Sequence, residues 1–240
     1  MKAWVINGEQ GIESLEQIER DVPTPGPGEI LVHLRANSIN YRDLSTIKNV
    51  RARGILEPRI PNSDGAGVVE DVGGGVTAFK KGERVVGTFF QNWTSGAIHN
   101  DAMASALGGP IDGLLCEYAI LQENGALPIP DHLSFEEAAT LPCASLTAWN
   151  CLIEGGQARA GQTALLLGTG GVSIFAQQLA KASGIRTILT SSSEEKLDRA
   201  KTLGAKDVIN YRDHPEWEKK VLEMTDGRGV DVVVEVGGAG

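Results

Sequence analysis

Residues 168–173, with the sequence GTGGVS, form the segment of this chain best suited to hold a ligand. A dinucleotide site needs one glycine for a sharp turn and a second where the backbone approaches the pyrophosphate. Gly168 and Gly170 fit those positions, and Ser173 stands where a third glycine is usual. A helix beginning here would add unpaired N–H groups and a positive dipole end. The predicted cofactor contacts in this turn are Gly168, Thr169, Gly170, Gly171 and Val172.

The end of the next predicted strand indicates which dinucleotide binds. NAD sites place an Asp or Glu about 20 residues after the turn, where it binds the ribose hydroxyls. Ser191 occupies that position, and because it is neutral it does not repel a 2′-phosphate. The nearby side chains that could surround this phosphate are Ser192, Lys196, Tyr211 and Arg212. Glu194 and Glu195 oppose this interpretation, but the pattern as a whole favours NADP over NAD.

A second interpretation of the same segment is purely structural. Ser192 could cap the following helix, with Glu195 three residues later completing a capping box. The two interpretations are compatible, because a capped helix start also directs N–H groups toward an anion.

The elements that must position these residues alternate from residue 163 onward. The sequence predicts strands at 163–167, 187–190, 207–210 and 231–236, and helices at 172–183, 194–203 and 215–225. Pro215 suits the first position of the last helix, and the final valine run suits a strand buried on both faces. This alternation predicts a parallel, doubly wound sheet. A glycine-rich turn inside such a βαβ unit favours dinucleotide binding over a plain tight connection.

The first half of the chain is rich in strands and turns. Short strands are predicted at 2–7, 15–22, 29–34, 65–76 and 82–87, and the glycines of 65–76 fall where small-barrel strands bend. These features predict a compact β-barrel. Residues 91–113 show no periodicity and are interpreted as a long surface excursion. Ser134 and Glu137 predict a capping box for a helix at residues 135–139.

Composition excludes several other classes of protein. The 240 residues carry a net charge of -9, which argues against nucleic-acid binding. No apolar run is long enough to span a bilayer, and the sequence turns polar after residue 7, so neither a membrane span nor a secretory segment is predicted. The three cysteines show no CxxC spacing, and a reducing cytoplasm is the simplest setting.

Taken in order, the motifs resemble the medium-chain dehydrogenase/reductase superfamily. The resemblance rests on residues 27–32 (PGEILV), 65–73, 82–85 (GERV), 138–149 (AATLPCASLTAW) and 161–173. It implies a GroES-like catalytic domain over residues 1–130, followed by a Rossmann NADP-binding domain over residues 131–240. It places the active site in a cleft between these domains, where Thr147 and Trp149 could line the pocket and Thr147 could contact the cofactor.

The zinc ligands of this superfamily are missing at the matching positions. Asn40 replaces the Cys of the first metal motif, and Ser63 replaces the His of the second. Cys143 alone resembles a ligand, and a catalytic zinc needs three. Residues 91–113 contain no cysteine, so the four-Cys structural zinc site is missing as well. The resemblance therefore implies a zinc-independent enzyme.

In the zinc-free branch, the resemblance assigns the catalytic roles to Asn40, Tyr41 and Asp43. The Asn40 amide could donate to a substrate carbonyl, the Tyr41 phenol could supply a proton, and Asp43 could orient its neighbours. Arg42 could add positive charge near the cofactor phosphates. A hydrogen-bonded turn that caps the next helix is the alternative role for Arg42 and Asp43.

The predicted sheet has strands one to four of a six-strand Rossmann order. We therefore expect either a fragment of a longer protein or a truncated product, in which the fourth strand forms a bare hydrophobic edge. Whether the intact protein forms a homodimer is left open. The leading hypothesis is NADPH-dependent reduction of a quinone or an α,β-unsaturated carbonyl, a small-molecule substrate. The alternatives are an NAD(P)-dependent alcohol dehydrogenase and a truncated nucleotide-binding module without turnover.

Overall fold

The computed structural model describes residues 1–55 and 58–237. It divides into two compact units, Met1–Cys143 and Ala144–Gly240, here called unit 1 and unit 2. Residues 238–240, which end the predicted Rossmann domain, lie outside the described residues. The domain boundary at residues 130 and 131 stays a prediction. Within the described ranges, no helix combines the length and the apolar character needed to cross a membrane.

Unit 1 contains two antiparallel sheets. A ribbon pairs β1 (Lys2–Ile6) with β2 (Leu15–Glu19). The larger sheet comprises β3 (Glu29–Ser38), β4 (Asp64–Val72), β5 (Arg84–Gly87), β6 (Tyr118–Gln122) and β7 (Ala126–Pro128). Its strand order is β6-β3-β4-β5-β7, with every pair antiparallel. Register shifts in the β3–β4 pair mark β-bulges, which curl the sheet.

The core of unit 1 forms on one face of the large sheet. Ile30, Val32 and Leu34 alternate along β3 and pack with Val69 and Val85, as the two-residue period of a strand requires. Gly67 is the position where β4 comes closest to β3 without room for a side chain. A Cβ at Gly67 would lie 2.2 Å from the His33 carbonyl oxygen. The backbone spacing of this pair therefore depends on glycine.

The helices of unit 1 are α1 (Tyr41–Lys48), α2 (Asn100–Met103) and α3 (Phe135–Ala139), with 3-10 turns at Gly11–Ser14 and Glu123–Gly125. The predicted cap of α3 is confirmed: the Ser134 hydroxyl accepts the Glu137 N–H at 3.1 Å, and the Glu137 carboxylate accepts the Ser134 N–H at 2.8 Å.

The predicted surface excursion at residues 91–113 is only partly correct. Residues 92–101 are exposed, but Ala102 and residues 105–109 are buried, and Leu107 belongs to the main core of unit 1. A run of so few apolar residues, with no period, gives no sign of this packing in the sequence.

Unit 2 contains a four-stranded parallel sheet. Its strands are β8 (Thr163–Leu166), β9 (Arg186–Ser191), β10 (Asp207–Asn210) and β11 (Val232–Val234), in the order β10-β9-β8-β11. Its helices are α4 (Leu146–Trp149), α5 (Gly171–Ala182), α6 (Glu194–Thr202) and α7 (Trp217–Met224), with a π-helical turn at Asn150–Gly155. A second π-helical turn, Leu141–Ser145, begins in unit 1 and ends at the second residue of unit 2. In sequence order the strands run 3-2-1-4, which confirms the predicted doubly wound sheet.

Both faces of this sheet are covered at β8. Ala164 and Leu166 of β8 pack in the core shared with α5 and α6. Leu165, between them, packs on the other face with Val221 of α7. The alternation places helices on opposite faces, as a doubly wound sheet requires.

Two predictions about the end of unit 2 were wrong. The last helix begins at Trp217 rather than Pro215, because Glu216 has non-helical angles of φ -91° and ψ 50°. The valine run forms only β11, and it is not buried on both faces. Val233 is 52% exposed, whereas Val232 and Val234, which point to the other face, pack in the core of unit 2.

Candidate functional site

The glycine-rich turn connects β8 to α5 and leaves its backbone open. Gly168 has a φ of +80°, in the left-handed region that favours glycine. A Cβ built at Gly168 or Gly170 would meet no atom within 4 Å. The first N–H groups of α5 have no carbonyl one turn earlier to bond with. These features fit the pyrophosphate of a dinucleotide.

Four hydroxyl groups, three of them buried, fix the shape of this turn. The Thr190 hydroxyl oxygen accepts the Gly168 N–H at 3.2 Å. The hydroxyl oxygens of Thr169 and Ser191 lie 3.1 Å apart, and the Ser173 hydroxyl donates to the Leu167 carbonyl at 2.8 Å. The turn is therefore tied to the carboxyl ends of both β8 and β9. The sequence predicted Thr169 and Ser191 as cofactor contacts and missed Thr190. The only sequence feature that could have indicated Thr190 is its place at the end of the predicted strand 187–190, directly before Ser191.

The residues predicted to surround a 2′-phosphate lie at the carboxyl ends of β9 and β10. Tyr211 follows β10, and its N–H donates to the Ser191 carbonyl at 3.0 Å. Ser192 is half-buried, and Lys196 is exposed on the first turn of α6. The structure therefore gathers Ser191 with the glycine-rich turn on one side and with the backbone of Tyr211 on the other.

Thr147, the remaining predicted cofactor contact, lies in the same unit on a different element. It is half-buried on α4. That helix packs against α5, and Ala148 of α4 and Ala176 of α5 lie in the same hydrophobic core.

The alternative in which Ser192 caps α6 is wrong. Ser193 is the cap, and its hydroxyl oxygen accepts the Lys196 N–H at 3.4 Å. The third helical position is then Lys196 rather than Glu195, and a lysine cannot accept the N–H that completes a capping box. Ser192 is left outside the cap.

A second polar cluster occupies the start of α1 in unit 1. Asn40 is the residue before α1, and Tyr41, its first residue, is 82% exposed. The buried Asp43 carboxylate accepts the Asn40 N–H at 2.8 Å and an Asn62 amide N–H at 3.3 Å. Arg42 pairs with Asp43 at 3.4 Å and lies over the Phe89 ring at 4.7 Å. Asp43 therefore binds Asn40, which precedes α1, and Asn62, which precedes β4.

Asp64 belongs to this cluster and was not predicted. It is fully buried, and its carboxylate accepts the Ser63 hydroxyl at 2.7 Å and the Cys143 N–H at 3.0 Å. Burial raises the pKa of Asp64 to about 6, and hydrogen bonds from Ser63, Cys143 and Asn40 limit that rise. In the sequence, residues 62–64 stood out only because they do not match a metal-binding motif. Nothing in the sequence predicted their hydrogen bonds.

The cysteine thiols of unit 1 are predicted to react slowly. Burial raises the pKa of Cys116 to about 12 and that of Cys143 to about 11. Because the thiolate is the reactive form, we expect alkylation of both at pH 8 to be at least about 100-fold slower than for an ordinary thiol. Mass spectrometry after timed iodoacetamide treatment measures this, with protein in urea as the control. Equal rates in the folded and unfolded protein would contradict it.

Comparison with known proteins agrees with this geometry. An open glycine-rich turn beside a 3-2-1-4 parallel sheet defines a Rossmann-type unit. The family described as alcohol dehydrogenase GroES-like domain matches residues 26–131, and the one described as zinc-binding dehydrogenase matches residues 171–240. A zinc-type alcohol dehydrogenase-like protein of Schizosaccharomyces pombe is 47% identical over 98% of the chain and 69% of its own length. The chain belongs to the medium-chain dehydrogenase/reductase superfamily of oxidoreductases.

Solved structures give the same result. A putative alcohol dehydrogenase from Sinorhizobium meliloti aligns with a TM-score of 0.92 and 41% identity, covering 99% of this chain and 70% of that one. The Escherichia coli quinone oxidoreductase complexed with NADPH aligns with a TM-score of 0.83 and 28% identity, covering 100% and 67%. Among eight curated relatives, the chain spans from 58% to 71% of their length.

Proposed function

We propose that this chain carries the NADPH-binding and substrate-binding residues of a zinc-independent reductase that acts on quinones or α,β-unsaturated carbonyls. The observation that carries the proposal is Ser191, a neutral residue at the end of β9 in hydroxyl contact with the glycine-rich turn. An NAD site would place a carboxylate there. The NADPH bound to the related Escherichia coli quinone oxidoreductase supports this choice of cofactor.

The residues of unit 2 would hold the cofactor. The N–H groups of Gly171 and Val172 would bind the pyrophosphate at the start of α5. Ser192, Lys196 and Tyr211 would bind the 2′-phosphate, to which lysine offers a positive charge. When bound, NADPH supplies the hydride.

The residues of unit 1 would act on the substrate. The Asn40 amide, whose hydrogen bond to the Ser38 carbonyl is long at 3.4 Å, would exchange it for one to the substrate carbonyl oxygen as negative charge develops there. The exposed Tyr41 phenol would hold the proton that the product requires. Asp43 would fix both, because it binds the backbone at the start of α1.

The donor set argues against zinc, which one of the matching family descriptions names. Zinc in proteins takes Cys sulfur, His nitrogen or carboxylate oxygen. At the positions of the family ligands, Asn40 and Ser63 offer neutral oxygens, and Cys143 has a pKa raised to about 11. Throughout the described residues, no group of three or more His, Cys, Asp or Glu side chains is suited to a metal ion. These residues do not fit zinc.

The second candidate is an alcohol dehydrogenase, because the Schizosaccharomyces pombe and Sinorhizobium meliloti relatives carry that description. Without a Lewis acid, alcohol oxidation loses its usual means of stabilising the alkoxide. The donor set therefore favours a quinone or an enone, whose reduction needs only hydrogen-bond donors.

The test combines three measurements on the purified protein: titration with NADPH and NADH, oxidation of NADPH by a panel of quinones and enones, and zinc content. We expect tighter NADPH binding, turnover with at least one acceptor, and no stoichiometric zinc. Equal or NADH-biased binding would contradict the cofactor assignment, and one zinc per chain would support the alcohol dehydrogenase. Binding without turnover would support a nucleotide-binding module.

A further inference from the structure

The Ser191 hydroxyl is engaged within the protein rather than presented to a ligand. Ser191 is only 4% exposed. Its oxygen lies 3.1 Å from the Thr169 hydroxyl oxygen and accepts the Ser193 N–H at 3.3 Å. A serine hydroxyl has one donor and two acceptor positions. Two of these three are therefore already used, and almost no surface remains for a phosphate.

The partners of Ser191 belong to the two elements that would hold the pyrophosphate and the 2′-phosphate of NADPH. Thr169 lies in the turn that would hold the pyrophosphate. Ser193 caps α6, whose first turn carries Lys196. The hydroxyl of Ser191 therefore connects the turn to the start of α6, across residues 22 apart in sequence.

We propose that Ser191 and Thr169 are positioning residues: their hydroxyl contact holds the glycine-rich turn against the start of α6, so that Ser191 contributes to cofactor affinity through Thr169. This inference rests on the proposed function. It transfers direct contact with the 2′-phosphate to the more exposed side chains of Ser192, Lys196 and Tyr211. Ser191 then sets specificity only by being neutral.

A double-mutant cycle tests this inference. Ser191→Ala and Thr169→Val each remove the contact and keep the site neutral. We expect each to weaken NADPH and NADH binding by about fivefold to tenfold, the effect of one lost hydrogen bond, and to leave the ratio of the two affinities unchanged. The double variant should be no weaker than Ser191→Ala, because Thr169→Val removes only the contact that Ser191→Ala has already removed, whereas Ser191→Ala also removes the acceptor of the Ser193 N–H. Thr169→Ser, which keeps the hydroxyl, should bind both cofactors as the wild type does.

Each contrary result has a distinct meaning. A selective loss of NADPH affinity in Ser191→Ala would show direct contact with the phosphate and overturn the inference alone. Additive losses in the double variant would also overturn it, as would weakened binding in Thr169→Ser. A wild type that binds neither cofactor would overturn the proposed function together with this inference. Circular dichroism of each variant shows whether it keeps the secondary-structure content of the wild type.

Discussion

Replacing Ser191 with Asp should reverse the proposed preference of this protein for NADPH over NADH. The new carboxylate can still accept the Thr169 hydroxyl, so the turn should keep its position. Its negative charge would lie close to the 2′-phosphate of NADPH that Ser192, Lys196 and Tyr211 are proposed to hold, while in NAD sites a carboxylate at this position binds the ribose hydroxyls. We expect NADPH affinity to fall by about 100-fold, or about 3 kcal/mol, and NADH affinity to be maintained or increased. Fluorescence titration with both cofactors at one ionic strength measures the change.

Ser191→Asn is the matched control for this prediction. Asn has nearly the shape of Asp and can accept the same hydroxyl hydrogen bond, but it carries no charge. NADPH binding should therefore be weakened far more by Asp than by Asn. Equal NADPH affinity in Ser191→Asp and the wild type would contradict the placement of the 2′-phosphate near this residue.

Asp64 should make the stability of the protein depend on pH in the direction opposite to most carboxylates. Its pKa rises from an ordinary value of 3.8 to about 6 in the fold because burial disfavours the charged form. The folded state therefore binds the proton more tightly than the unfolded state. The contribution is fully present below pH 3.8 and is lost as pH rises through about 6. At about 1.4 kcal/mol for each pH unit, this loss amounts to about 3 kcal/mol.

Denaturant unfolding of the wild type and of Asp64→Asn, measured from pH 4 to pH 7, isolates this effect. Carboxylates with lowered pKa values, such as Glu123 and Asp231, give the opposite slope in both proteins and cancel in the difference. The free energy of unfolding of the wild type should fall relative to the variant as pH rises. The variant also loses a hydrogen bond, which adds a pH-independent offset. A difference that does not change with pH would contradict the buried position of Asp64.

The sequence predicted unit 2 well because its signals are local. Alternating strands and helices follow from hydrophobic period and from glycine at the helix ends, and each can be recognised within about 15 residues. The 3-2-1-4 order then follows from the rules of doubly wound sheets. The α3 cap was also predictable, because Ser134 and Glu137 are only three residues apart.

The features that were missed depend on distant residues or on small local choices. Asp64 binds the Cys143 N–H across 79 residues, and no periodicity in a single sequence reports such a contact. Ser193 rather than Ser192 caps α6, a choice among adjacent serines that propensity alone does not decide. The valine run of β11 looked fully buried by composition, but the exposure of each valine depends on what packs over the face to which it points.

The close approach of Gly67 to the His33 carbonyl limits which amino acids the sequence of unit 1 can accept at residue 67. Even a methyl group at residue 67 would overlap the backbone of the neighbouring strand, and no rotation of a side chain could relieve it. A saturation library at this codon, sorted for folded protein, should therefore return glycine almost alone. By contrast, a Cβ at Gly74 or Gly75 meets no atom within 4 Å. Replacement of Gly75 should still be limited, because its φ of +83° favours glycine. Replacement of Gly74 should be tolerated.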